Sequence, residues 1–196
     1  MSSPMAEHND WRPHLRQKAR QVLAALSAEE REALLVRCWM SHDARWYTAV
    51  AHAFGLHAAN KLNQLAAREI GKVEATRLIR VLGLAPVATL DDYVAVHEVF
   101  IGLLGPDLID YELLAVGDGT WQVRVQRCFA HENVTRAGID EGYECGVFAR
   151  VTGWMDALGL NYEMTPAPGK CPRAQGRECE YTFKLQDGIQ LTQALA

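Results

Sequence analysis

The feature that most constrains this chain is a single switch in the spacing of its apolar residues, at Gly105-Pro106. Before that dipeptide they recur at the helical period, so one face of each helix can be buried. After it they alternate, as on a strand with one buried side. A helical first part followed by strand, strand, helix, strand, strand, with an antiparallel sheet and one helix packed on it, is the α+β class. The expected organisation is a helical lobe over residues 1–105 packed on an antiparallel ββαββ domain over 106–196.

Start and stop signals divide the first part. Ser27 and Glu30 form a capping-box pair opening a helix through Leu34, Leu35 and Trp39. From Asp43 to His57 the residues Trp46, Val50, Ala53, Phe54 and His57 share one face, and Gly55 weakens the end of that helix. The next helix, Ala58–Ile70, is expected to stop at Gly71, and Val73–Leu82 to stop at Gly83 with Pro86 beyond it. Thr89 and Asp92 cap a last helix reaching Leu104.

Beyond Pro106, Leu108–Val116 and Thr120–Arg127 read as strands joined through Gly117-Asp118-Gly119, a hairpin signal. A helix over Asp140–Leu158, ended by Gly159, separates them from two further strands, Asn161–Thr165 and Cys179–Leu185. The 196 residues are 49% hydrophobic, enough to bury a core without a covalent staple. Twenty Lys and Arg against 24 Asp and Glu leave a net charge of −4 and no basic face, which argues against direct nucleic-acid binding. No stretch approaches the roughly 20 apolar residues of a membrane span. The polar first residues do not resemble a secretion signal. A cytoplasmic chain with reduced thiols is therefore expected.

Chemistry is concentrated in the cysteines. Cys38, beside Trp39, is expected in a core, whereas Cys128, Cys145, Cys171 and Cys179 lie in the second half. Cys128 ends a strand, and a Pro/Gly turn can bring Cys171 and Cys179 together. On a helix over 140–158, Cys145 projects away from the apolar stripe of Tyr143, Val147, Val151 and Trp154. Thiolates are the soft ligands that zinc or an iron–sulfur cluster needs, so these four either share a metal or simply pack as small apolar side chains.

The stretch from Cys145 to Leu185 resembles the 4-vinyl-reductase-type small-molecule-binding domain, in which a helix-borne cysteine is followed by another 26 residues on and a third eight further. Cys145, Cys171 and Cys179 match that spacing. The resemblance implies that they bind a structural zinc beside a ligand pocket. The family's fourth ligand, a Glu three residues before the second cysteine, is Pro168 here; Cys128, Glu144 and Glu163 are candidates to replace it, Cys128 foremost. The chain is also similar to an uncharacterised prokaryotic family through His42-Asp43-Ala44-Arg45-Trp46, Gly71, Glu74, Leu82-Gly83, Cys128, Arg136, Gly138 and the later cysteines. It is more loosely similar to the amino-thiazoline carboxylate hydrolases.

Among other polar residues, Asp43 reads as a helix cap, with His42 and Arg45 as the alternative holders of an acidic ligand. Arg124, Arg127 and Arg136 read as a solvated face. His52 and His97 pair with no other ligand, and His131, three residues after Cys128, is the histidine closest to the cysteines in sequence. No phosphate loop, nucleophile elbow or helix-turn-helix is present. The expectation is a small-molecule-binding protein with a cysteine-ligated, bracing zinc. One alternative is a metal-dependent hydrolase of a small cyclic amidine or thiazoline, with His131 or Glu144 as acid/base. The other is an iron–sulfur or thiol redox protein. Besides a small-molecule ligand, the expected partner is a second copy of the chain, a homodimer, with no membrane involved.

Overall fold

The computed structural model of the chain describes residues 12–117 and 119–186. It divides into two compact units, 1–42 and 43–196, so the change of period at Pro106 falls inside the second unit.

The first unit holds helix α1 (Arg12–Ala24) and the beginning of α2 (Ala28–Leu82). The Ser27 capping box forms as expected. The Glu30 amide donates to Ser27 Oγ at 3.0 Å, and the Ser27 amide to Glu30 Oε2 at 2.7 Å. Cys38 corrects its expectation: it is exposed, not in a core.

In the second unit the remainder of α2 is interrupted at Gly55, whose φ of 85° and ψ of 162° no helix accommodates. The segment 43–57 is turned relative to the expected face, with Tyr47 and Val50 buried and Trp46 and Phe54 exposed. Gly71, expected to end a helix, lies inside one and is buried. Its role is close approach. A Cβ at Gly71 would run into the Arg150 carbonyl, and one at Gly153 into the Arg68 carbonyl. Two facing glycines thus let α2 and α5 (Val147–Ala157) meet backbone to backbone. Beside the crossing, Glu74 accepts from Arg150 Nε at 2.8 Å and from Trp154 Nε1 at 3.2 Å, and Arg68 Nε donates to Asp156 at 2.8 Å. Gly83 ends α2 in a left-handed turn, with the Leu84 amide donating back to the Ile79 carbonyl. Thr89 and Asp92 make the capping box that opens α3 (Leu90–Leu104).

Four strands follow the order β1-β2-β4-β3, all antiparallel: β1 (Ile109–Gly117), β2 (Thr120–Cys128), β3 (Tyr162–Thr165) and β4 (Cys179–Leu185). Gly117 pairs with Thr120 across the expected hairpin, whose Asp118 lies outside the described residues. The class is α+β, as expected. The single long helix Asp140–Leu158 is not formed. In its place stand a 3-10 turn (Asp140–Gly142), an extended stretch and the shorter α5, and a helix not expected from the sequence, α4 (Phe129–Arg136), precedes them. The extended stretch wins over helix because its backbone pairs with residues 169–171.

One sheet face carries the core. Trp121, Val123 and Val125 of β2 oppose Phe183, Tyr181 and Cys179 of β4, and all six are buried. Against them pack Phe148, Val151, Trp154 and Met155 of α5 and Tyr93, Val96 and Phe100 of α3. His97 sits in the same layer, its Nδ1 3.4 Å from the Tyr93 hydroxyl and its ring edge-on to Tyr111 and Trp154.

Two predictions follow from this core. Gly153→Ala forces the α2–α5 crossing apart and should destabilise by about 3 kcal/mol, read as a fall in the urea midpoint; an unchanged midpoint would mean the helices separate at no cost. Burial lowers the pKa of His97 to about 4, against 6.5 when exposed. Between those values the unfolded chain holds the extra proton, so stability falls as pH drops from 6.5 to 4. That loss, about 3 kcal/mol, should be missing from His97→Phe when urea unfolding is compared at pH 7 and pH 4.

Candidate functional site

Strand alternation alone would turn Cys128 away from the core, since Val123 and Val125 face inward and residue 128 has the opposite parity. The register shows why it does not. Tyr111 pairs with Val125 and Asp110 with Arg127, which leaves Gln126 as an extra residue, a β-bulge. The bulge shifts the phase by one, so Gln126 and Arg127 are exposed while Cys128 is half-buried. Cys179 lies on the next strand, directly opposite Val125.

Cys145 and Cys171 come from a short antiparallel bridge between Glu144 and Lys170. The Cys145 amide donates to the Gly169 carbonyl at 2.7 Å, and the Cys171 amide to the Tyr143 carbonyl at 3.1 Å. Alternation then puts Cys145 and Cys171 on one face of the bridge and Glu144 on the other. The bridge is held to α2 by buried Asn60. Asn60 Nδ2 donates to the Gly142 carbonyl at 2.7 Å, while its Oδ1 accepts from the Glu144 amide at 3.1 Å and from the Tyr47 hydroxyl at 2.7 Å.

All four cysteines line one cavity of about 10 Å³, near the volume that one water molecule or ion needs. His131, Tyr143 and Arg173 also line it, no Asp or Glu does, and the surface facing the cavity is apolar. Burial pushes the thiols of Cys145 and Cys179 up to about 12 and raises that of Cys128, with the Ala130 and His131 amides opposing the shift at Cys128. Without a cation among them these groups stay protonated. Among the described residues no group of three or more His, Cys, Asp or Glu is placed so that it could hold a metal ion. The fold brings the four sulfurs to one cavity, not onto one point.

The sequence-derived candidates therefore separate. Cys128, Cys145, Cys171, Cys179 and His131 come together. Glu144 is bridged with Lys170 away from the cavity, and Glu163 is exposed opposite Lys184. Cys145, expected from the periodicity on a helix and away from its apolar stripe, lies instead two residues before α5 and is buried. Arg124, Arg127 and Arg136 serve local contacts with Glu180, Glu132 and Asn133. Arg173 was not singled out by the sequence. It follows Cys171-Pro172, its Nη1 donates to the Val125 carbonyl at 3.2 Å, and its Nε is buried without a hydrogen-bond partner.

A prediction follows for the thiols. With a disulfide-exchange reagent at neutral pH, Cys38 should react promptly and the other four only in denaturant. Prompt reaction of two or more thiols in the native protein would contradict the buried arrangement.

No curated protein matches the chain. Among solved structures, that of a trafficking protein particle complex subunit 3 from Naegleria fowleri covalently bound to palmitic acid is similar at a TM-score of 0.49 and 13% identity, covering 83% of this chain and 99% of that one. Among helices of the described residues, none is long and apolar enough to cross a membrane. The model of one family matches residues 22–151, a span that includes Cys128 and Cys145 and ends before Cys171 and Cys179. With well over half of its length matched, the chain belongs to that family of unknown function, DUF6125.

Proposed function

We propose that this protein is a small-molecule-binding module of the cytoplasm whose C-terminal domain is braced by zinc held by Cys128, Cys145, Cys171 and Cys179. The observation that carries the metal site is convergence: four thiols from separate segments line one ion-sized cavity, and the fifth is exposed. The donor chemistry fits, since four soft ligands in an otherwise apolar wall suit a tetrahedral d¹⁰ ion. The resemblance of residues 145–185 to the 4-vinyl-reductase-type domain supports both the zinc and the neighbouring ligand pocket.

Such a centre would act on the fold and not on a substrate. Four thiolates complete the coordination of zinc, and a cavity of about 10 Å³ has no room for an organic molecule beside the ion. Zinc would tie together the end of β2, the bridge before α5 and the start of β4. The free state of all five cysteines is in keeping with a reducing compartment.

Elemental analysis of protein purified without oxygen should give about one zinc per chain and no visible absorbance. Cys171→Ser should lose the metal and melt roughly 10 °C lower, the shift that a loss of about 3–4 kcal/mol produces at this size, whereas Cys38→Ser should do neither. Iron with labile sulfide would replace this reading with a redox one. Absence of any metal, with Cys171→Ser melting like the wild type, would remove it.

A further inference from the structure

We propose that helix α1 binds anionic lipid surfaces side-on, with Leu15, Val22 and Leu23 in the interface and Arg16, Lys18 and Arg20 on the headgroups. The proposal is independent of the zinc reading.

The exposure of α1 carries it. A helix of 13 residues is marginal in water, and most helices are held by the face they bury. This one buries none. Every residue of α1 whose burial is described is exposed, including Leu15 at 54%, Val22 at 65% and Leu23 at 51%. These side chains are not scattered. At about 3.6 residues per turn, Leu15, Ala19, Val22 and Leu23 fall within about 100° of arc, with Gln17 and Gln21 on the opposite side.

The charges sort with that stripe. Arg16 and Lys18 border it on either side, Arg20 lies beyond Arg16, and Arg12 stands at its N-terminal end. No Asp or Glu occurs in α1. The total charge of −4 hides this basic face. With the four cations of α1 set apart, the other residues hold 16 Lys and Arg against 24 Asp and Glu, a net −8.

An apolar stripe flanked by cations suits a membrane interface, where the stems of Lys and Arg follow the apolar boundary and their charges reach the headgroups. A nucleic acid would take the cations and leave the stripe in water, and a second copy of α1 would set like charges together. The expectation of no membrane rests on the lack of a span among the described residues, and a helix lying in the interface needs none. Each Lys or Arg near an anionic surface strengthens partition about fivefold, so three together give about a hundredfold.

The test sediments the full chain with vesicles of phosphatidylcholine containing roughly 30% phosphatidylserine, and with phosphatidylcholine alone. Wild type should bind the anionic vesicles at least about tenfold more tightly and lose that preference in about 0.5 M salt. Arg16→Gln with Arg20→Gln should weaken anionic binding about 25-fold. Leu15→Ser with Val22→Ser keeps every charge and should weaken it at least about tenfold. Because α1 buries no side chain, both double variants should melt within about 2 °C of wild type; a larger drop would place the stripe in a core and overturn the proposal. Equal binding to the two vesicles, or binding to neither, also overturns it. So does anionic binding that Leu15→Ser with Val22→Ser leaves within about twofold, since charge alone would then hold α1. A wild-type dimer that the same two substitutions turn into a monomer gives the stripe to a second copy and overturns the lipid assignment.

Discussion

The second unit depends on one side chain, the carboxamide of Asn60. Its hydrogen bonds reach Tyr47, Gly142 and Glu144, and it lies buried on a helix that would otherwise present an apolar face. A buried amide leaves a costly orphan wherever a partner is missing, so it demands the extended backbone of residues 142–144 in one position. Residues 143–145 are thereby committed to pairing with 169–171. The order of causes runs from Asn60 to the bridge, and from the bridge to Cys145 and Cys171 on one face.

The other two cysteines reach the cavity by a different device. β2 and β4 share a register in which Val125 faces Cys179, and the bulge at Gln126 turns Cys128 toward the same side. The cavity lies where two layers of core meet. Cys145 and Cys179 belong to the layer built on Trp121, Phe183 and Trp154, and Cys171 to the smaller one around Tyr47, Tyr143 and Val134. Shifting the hairpin by a single residue would return Cys128 to the solvent side.

Much of the architecture was legible. Thr89 with Asp92, Ser27 with Glu30, Gly83, and the alternation in 179–185 each carry a local signal that needs no tertiary help, and each element formed as expected. The misreadings share one cause, which is that distant contacts decided the outcome. Gly71 looks like a helix breaker because glycine at a helix end and glycine at a helix crossing are the same letter; only Gly153, 82 residues on, distinguishes them. Residues 140–146 have helical spacing, but their backbone hydrogen bonds go to 169–171 and to Asn60. The four cysteines could be grouped from sequence because thiols are few and their spacing is visible. Arg173 could not, since a surface arginine and one with a buried Nε read alike until the fold places Val125 beside it.

Packing alone would account for four buried cysteines, as thiols are small and apolar enough to fill a core. It does not account for two features that cost free energy. The bulge at Gln126 gives up regular pairing near the end of a strand and, in doing so, brings a cysteine inward; a regular strand would have placed Arg127 there. The Arg173 guanidinium has a buried nitrogen with nothing to donate to, whereas a leucine at the same position would carry no such penalty. The bulge is what the proposed zinc centre would need, since it brings Cys128 to the cavity that the other three cysteines line.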